Sequence, residues 1–332
     1  MRVPFEQLYG ELRRVLLKEG FTEDRAELSA RLFAEASRDG FYTHGLNRFP
    51  TYLEYIRKGF IDIHAVPEKV EGMGAVERWD GRRGPGNINA YLSMRRAIEL
   101  SRTYGMGCVA IKNTNHWMRA GSYGWQAAEA GCIGICWTNT LPNLVPWGAE
   151  ERKIGNNPIV LAVPREEGPV ILDIAMSQFS YGNLNAYSSR GEALPVAGGY
   201  DGEGRLTNDP DQILASGKLL PIGYWKGSGL SILLDLIAMM LSGGRSTYEV
   251  GLDEGEQAVS QVFLAFDTTA LSDRNMLKEK LEHVIDDLHR SMPAQGHRDV
   301  RYPGEDTLRR RDDHMRNGIP VDPQIWQTVL DA

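Results

Sequence analysis

The sequence predicts an α/β protein of the α+β kind, in which a sheet lobe is joined to a helical lobe drawn from both ends of the chain. Three observations lead there. Apolar residues repeat only at helical spacing through residues 1–65, short β-rich runs alternate with helical stretches from about 71 to 272, and helical periodicity returns alone from 273 to 332. At 332 residues the chain also exceeds the ~100–200 residues of a typical domain. The expected division is therefore 1–70 and 273–332 as one discontinuous helical lobe, with 71–272 as the sheet lobe.

Phe5, Leu8, Leu12, Val15 and Leu16 mark a first helix that Gly20 ends. Thr22 is the expected N-cap of a second, with Leu28, Leu32 and Ala36 facing inward and Gly40 closing it. Phe49, Leu53, Ile56 and Phe60 give a third stripe, and Pro50, lacking an N–H, belongs in its first turn. Lys69-Val70 and Val76–Trp79 read as short strands, and Asn87 as the cap of a helix carrying Tyr91, Met94 and Ile98. Strands are expected at 108–111, 133–137, 159–163, 170–174 and 262–266, with a helix at 122–130. Residues 180–221, rich in Gly, Asn, Ser and Asp, read as a long surface excursion. The run from Leu230 to Leu241 is almost wholly apolar and predicts a buried helix. Leu277, Leu281, Val284 and Leu288 mark an amphipathic helix expected to pack on the N-terminal helices.

A net charge of −7, from 37 basic and 44 acidic residues, argues against nucleic acid or an anionic membrane as the main partner. Arg309-Arg310-Arg311, followed by Asp312-Asp313, reads as a solvated helix face. The three cysteines, at 108, 132 and 136, lie in apolar runs and read as buried thiols of a reducing compartment. The N-terminus has no apolar signal core, and Asp235 interrupts the longest apolar run, which falls short of the ~20 residues of a membrane span. A cytoplasmic protein is the expectation.

The most chemically suggestive stretch is Phe41–Pro50, where His44 and Arg48 lie four apart and would share a face if the segment were helical. An imidazole titrating near ~6.5 suits proton transfer to an oxygen as a carbonyl is reduced, and a guanidinium fork matches a carboxylate. His116, in Asn115-His-Trp-Met-Arg119, follows a strand end, where α/β folds tend to place ligand contacts. Asp173 sits inside an apolar strand, where a carboxylate needs partners. It would orient a histidine, bind a ribose hydroxyl or cap the next helix. Gly223–Gly229, with Lys226 inside it, offers backbone N–H groups at 227–229 and the positive end of a helix to a phosphate. The remaining histidines, 64, 283, 289, 297 and 314, sit in polar surroundings and read as solvent-facing. No Gly-x-Gly-x-x-Gly or Gly-x-x-x-x-Gly-Lys-Ser/Thr occurs, so neither a Rossmann site nor a P-loop has support, and the spacing of His44, His116 and Asp173 gives no local metal pair.

Several segments together resemble the malate/L-lactate (sulfolactate) dehydrogenase-like family of NAD(P)-dependent oxidoreductases, which lack a Rossmann fold. They are Tyr-Thr-His-Gly-Leu-Asn-Arg-Phe at 42–49, Asn-His-Trp-Met-Arg at 115–119, Ile-Gly-Asn-Asn-Pro at 154–158, Leu-Asp-Ile-Ala-Met-Ser at 172–177, Gly-Tyr-Trp-Lys-Gly-Ser-Gly at 223–229 and Tyr-Pro-Gly-Glu at 302–305. The resemblance implies a homodimer whose non-Rossmann sheet lobe binds NAD(P) and which reduces a 2-oxo acid, here a sugar acid. His44 matches the proton donor and Arg48 the substrate-carboxylate contact, and His116, from its place after a strand, is expected to complete the substrate pocket. Pro169, Val170, Ile171, Leu172, Asp173, Ile174, Ala175, Trp225, Lys226, Gly304, Glu305 and Asp306 match the cofactor-contact segments. Glu305 beside a ribose would repel a 2′-phosphate, which favours NADH over NADPH. The same family also hosts reduction of a cyclic imino acid such as Δ1-piperideine-2-carboxylate. More distant readings are a metal-dependent hydrolase or lyase and a non-catalytic sugar-acid-binding protein.

Overall fold

The computed structural model describes residues 1–332. Its centre is a seven-stranded sheet in the order Glu68–Met73, Val76–Asp80, Met106–Thr114, Val259–Asp267, Cys132–Thr138, Ile159–Val163, Val170–Ile174. Only Val76–Asp80 against Met106–Thr114 is parallel, the connection being the helix Gly86–Tyr104; every other neighbour runs antiparallel. The long strand Val259–Asp267 comes from far along the chain and inserts at the middle, between Met106–Thr114 and Cys132–Thr138.

Alternation along the central strands sends side chains to two separate cores. Val109, Ile111, Cys132, Cys136, Phe263 and Ala265 face the helices Gly86–Tyr104 and Gly121–Glu129. Cys108, Ala110, Trp137 and Val262 face the opposite side, against Leu234 and Ala238 of the helix Trp225–Ser242 and against Leu194, Ile213 and Leu219. All three thiols are free and buried, Cys132 and Cys136 on one face as their spacing required. Burial of an aromatic such as Phe263, edge-on to both Trp117 and Tyr123 at 5.9 Å, contributes ~1.5–3 kcal/mol.

A third core joins the two ends of the chain. Leu8, Leu12, Val15, Phe33, Phe49 and Leu53 pack with Ile319, Val321, Trp326 and Val329, so the C-terminal helix Pro323–Asp331 closes onto Phe5–Lys18 and Phe49–Arg57. A short antiparallel pair, Arg2-Val3 with Ile319-Pro320, fastens the same junction.

Several expectations need correction. The helix over Leu277–Leu288 forms as Arg274–His289, but it lies along the sheet lobe and not on the N-terminal helices: Arg165 grips Glu282 at 2.7 Å, and only Ile285 is buried. Residues 180–221 are a small folded unit rather than a loop, with helices Tyr181–Arg190 and Pro210–Ser216 and a three-stranded sheet. The helix after Gly86 starts at Gly86 itself, and Asn87, inside it, binds Ser29. Arg311 is not a solvated face residue but reaches Asp39 and lies over Trp125. His314 is buried, its imidazole between the Arg38 carbonyl and the Tyr42 hydroxyl.

The largest correction concerns Trp225–Ser242. By length and composition it is the one helix apolar enough to cross a membrane, yet only a third of it is buried. Asp235 explains its inner face: the carboxylate accepts from Asn139 Nδ2 and Thr247 N, both at 2.8 Å, and so holds the helix down. Its outer face carries Leu230, Leu233, Leu236, Ile237 and Met240 exposed, Met240 by 68%.

Candidate active site

His44 and Arg48 do not share one helix. They sit on successive 3₁₀ turns, Tyr42–His44 and Leu46–Arg48, broken at Gly45. Gly45 packs so closely on the preceding helix that a Cβ would fall within 3.0 Å of Phe33 O and 2.8 Å of Ser37 N, and only glycine fits. Leu46 N donates to Ser37 Oγ at 2.8 Å, fixing the second turn. Pro50 lies in the first turn of Phe49–Arg57, as its missing donor required.

His116 arrives from the other lobe on the loop after Met106–Thr114 and stacks on His44, centroids 5.8 Å apart and planes 15° from parallel. Its Nδ1 accepts from Met118 N at 3.0 Å, which assigns the proton to Nε2 in the neutral ring. Met118 in this loop holds a positive φ of 64°, a strained conformation that its bond to His116 helps to fix, and Asn113, at the end of the strand before it, holds another at 52°. Burial, with Arg48 and His44 nearby, pushes His116 well below the ordinary imidazole range. His44 is also lowered: burial dominates, Arg48 and Arg119 add to it, and the Asp173 carboxylate opposes it.

Asp173 caps an earlier helix and not the next one, and it acts on His44 through charge without a hydrogen bond. Its Oδ2 accepts from Gly121 N at 2.8 Å, capping the helix Gly121–Glu129, and its charge lies close enough to favour a proton on His44. Gly121 permits that approach, since a Cβ there would be 2.8 Å from Oδ2.

Arg48 has no ion-pair or hydrogen-bonding partner for its guanidinium, although its charge is felt by His44, His116 and Glu256. The other arginine of the site, Arg119, is spoken for: with Arg38 and Arg311 it surrounds Asp39, which is 1% exposed. That ring of guanidiniums overcomes burial and holds the Asp39 carboxyl far below the usual range.

The cofactor-contact residues from the sequence fall along one border of the sheet. Pro169 precedes, and Ala175 follows, the strand Val170–Ile174, which is the outermost of the seven. Pro303 O accepts from Ile171 N, and Gly304 lies so near that a Cβ would be 3.1 Å from that nitrogen. Beyond the strand's other end, Ile222 N donates to Met176 O, which brings Trp225 and Lys226 to the same border. An open edge flanked by a glycine crossing and an exposed helix start fits an extended dinucleotide. The expected cradle at 227–229 is corrected in one respect: Lys226 N, Gly227 N and Ser228 N already donate to Gly223 O, Ile222 O and Tyr224 O, so the first turn offers a ligand the Lys226 side chain and the N–H of Trp225 rather than a row of free N–H groups. Glu305 is partly occupied, accepting from Tyr302 N and facing His289 at 3.1 Å, while Asp306 pairs with Arg301. His44, His116 and Asp173 do not converge as a metal-ligand set.

Sequence reasoning missed Asp39, Thr43, Arg119 and Glu256. Thr43 Oγ1 meets His44 Nδ1 at 3.2 Å and its methyl backs onto Gly182. Arg119 had a signal, the Asn-His-Trp-Met-Arg run, but Asp39 is a lone acid in a polar stretch and Glu256 the last of the acidic run Asp253-Glu254-Gly255-Glu256, and no spacing announces the burial of either.

Paired imidazoles and an unpaired guanidinium beside an open sheet edge have the layout of an oxidoreductase that acts on a small organic acid. The chain belongs to the malate/L-lactate dehydrogenase family, whose model matches residues 3–330. It is 44% identical over 331 residues to the 2,3-diketo-L-gulonate reductase of Citrobacter koseri, covering 99% of both chains. Its fold superposes on malate dehydrogenase from Entamoeba histolytica with a TM-score of 0.93 at 25% identity, covering 100% of this chain and 96% of that one. The Δ1-piperideine-2-carboxylate reductase of Pseudomonas syringae pvar. tomato gives 0.86 at 27% identity, covering 100% and 99%. The protein is an oxidoreductase, and its family implies a nicotinamide cofactor.

Proposed function

We propose that this chain reduces a 2-oxo sugar acid, 2,3-diketo-L-gulonate, to the 3-keto acid at the expense of NAD(P)H. The observation that carries the reading is Arg48, a guanidinium left unpaired beside the stacked His44 and His116. The substrate carboxylate takes the Arg48 fork. His116, neutral with its proton on Nε2, donates to the C2 carbonyl oxygen and orients it. His44 delivers the proton that the forming alkoxide needs, and Asp173 favours the protonated ring. A carboxylate seated on Arg48 cancels one of the charges that depress His44, so substrate binding itself primes the donor.

The cofactor, which supplies the reducing equivalents, would be held by Pro169–Ala175, by Trp225 and Lys226, and by Gly304, Glu305 and Asp306. NADH is the proposed preference, because a 2′-phosphate near Glu305 and Asp306 would meet two carboxylates. The likeness to a Δ1-piperideine-2-carboxylate reductase supports a second reading, in which the same residues reduce a cyclic imino acid.

Oxidation of NADH and NADPH with 2,3-diketo-L-gulonate, pyruvate, oxaloacetate and piperideine-2-carboxylate tests this directly. The expected result is fast turnover of the sugar acid with NADH, and a loss of about 10²–10⁴ in kcat for His44→Ala with NADH binding retained. Turnover of the imino acid alone would transfer the mechanism to the second reading.

We also infer a homodimer that meets across the outer face of Trp225–Ser242. Two copies bring apolar side chains together without like charges, since Asp235 is turned inward to Asn139 and Thr247. Leu233→Asp with Met240→Asp should give monomers by light scattering; an unchanged dimer, or a monomeric native chain, would reject this seam.

A further inference from the structure

Beside Arg48 lies a buried carboxylate that the reaction does not use. Glu256 is 8% exposed, and one of its oxygens accepts from Leu141 N at 3.3 Å while the other has no donor. Its own N–H points at the Tyr55 hydroxyl, 3.4 Å away. Tyr55 lies seven residues after Arg48 on the helix that Arg48 leads into, so the two share a face and Glu256 is seated along it. Burial pushes the Glu256 carboxyl up, the Arg48 charge opposes that, and the two form no ion pair.

Next to Glu256 the chain 140–143 carries a second acceptor without a donor. Asn143 Nδ2 donates to Asn156 Oδ1 at 3.0 Å, leaving Asn143 Oδ1 buried and unpartnered. Thr140 Oγ1 donates to the same Asn156 oxygen at 3.0 Å, and these two bonds hold that amide in its orientation, its oxygen toward Asn143 Nδ2. Asn156 in turn is tied by its backbone to Met176, just past the cofactor edge. The wall between Arg48 and that edge therefore presents acceptor oxygens in want of donors, which is costly in a buried place unless O–H groups arrive.

We propose that Glu256, with Asn143 beside it, reads the hydroxyl groups of a polyhydroxylated substrate tail and determines specificity for such acids over short ones. This rests on the reading of Arg48 as the carboxylate anchor. With the carboxylate held there, the far carbons of a six-carbon acid extend along the wall and each hydroxyl finds an acceptor. A short acid such as pyruvate has no donor to offer and leaves the wall unsatisfied, so discrimination comes from the missing hydroxyls.

The test compares wild type, Glu256→Leu and Glu256→Gln in two measurements. In the first, steady-state reduction of 2,3-diketo-L-gulonate and pyruvate with NADH, Glu256→Leu should raise KM for the sugar acid roughly tenfold to a hundredfold, with kcat nearly unchanged. Pyruvate kinetics should stay within about threefold, and Glu256→Gln, which keeps an acceptor oxygen, should fall between. Equal losses on both acids, or none on the sugar acid, would overturn the proposal, and the Gln variant decides if the Leu variant does not fold. In the second, calorimetric titration of gluconate and of lactate into the whole protein reads binding without turnover. Wild type should prefer gluconate and Glu256→Leu should lose that preference; equal affinities in wild type would overturn the proposal. If wild type reduces no 2-oxo acid with either nicotinamide, the reaction assigned above fails, and the titration still decides whether Glu256 recognises hydroxyls.

Discussion

Two buried corners of this protein set a carboxylate against arginine, and they are built in opposite ways. Around Asp39 the pairing is complete: Arg38, Arg119 and Arg311 all reach its oxygens, and they come from the second helix, the His116 loop and the helix Glu305–Asn317. Around Glu256 it is withheld, with Arg48 near enough to be felt yet bonded to nothing. A closed ion cluster fixes three segments relative to one another, whereas an open one keeps charge and hydrogen-bonding capacity for something that arrives from solution. The same residue types thus serve as architecture in one corner and as a binding site in the other.

The sharpest way to break that comparison is to cut each corner once. Asp39→Ala leaves three guanidiniums around a void and should cost about 3–5 kcal/mol of stability, read as a lower urea midpoint. Because the Asp39 pKa is depressed in the fold, its contribution is complete above the ordinary carboxylate range and is lost only as pH falls toward the folded value. The midpoint difference should therefore be the same at pH 6 and pH 8. Arg48→Met should do the reverse, leaving the midpoint within about 1 kcal/mol while kcat/KM for the acid drops about 10²–10³-fold. Comparable unfolding shifts in the two variants would erase the distinction.

This contrast also explains what the sequence made legible. The strands 159–163 and 170–174 are found where compact apolar runs put them, although only one face is covered: Val160, Ala162 and Ile171 are buried while Leu161 and Val163 are exposed. His44, Arg48, His116 and Asp173 are brought together; their residue types allowed the chemistry, and it was the resemblance of the segments around them to a dehydrogenase family that singled them out. What stayed hidden was pairing across long separations. Asp39 and Arg311 are 272 positions apart, so neither the burial of that acid nor the loss of Arg311 from the surface has a local cue. The apolar run at 230–241 misled for the opposite reason: hydrophobicity reports that a helix wants covering, and not whether its own chain or another supplies the cover.

The smallest expected effect is also the most specific to the open corner, and it concerns pH. His44 must carry a proton to give one away, and burial together with Arg48 and Arg119 lowers its pKa from the ordinary imidazole value. Reduction measured as kcat/KM should therefore fall as pH rises through that lowered value, on the acid side of the usual ~6.5. Asp173 opposes the depression, so Asp173→Asn should move the falling limb further to acid, with less than about tenfold lost at pH 7. An asparagine oxygen can still accept from Gly121 N, so the helix cap and the urea midpoint should survive. Arg48→Met removes a depressing charge and should move the limb the other way. A bound carboxylate does the same to wild type, so its limb in kcat should lie at higher pH than its limb in kcat/KM. Superimposable profiles for wild type, Asp173→Asn and Arg48→Met would mean that the titrating group is not His44, and that the charges around it serve only to place the substrate.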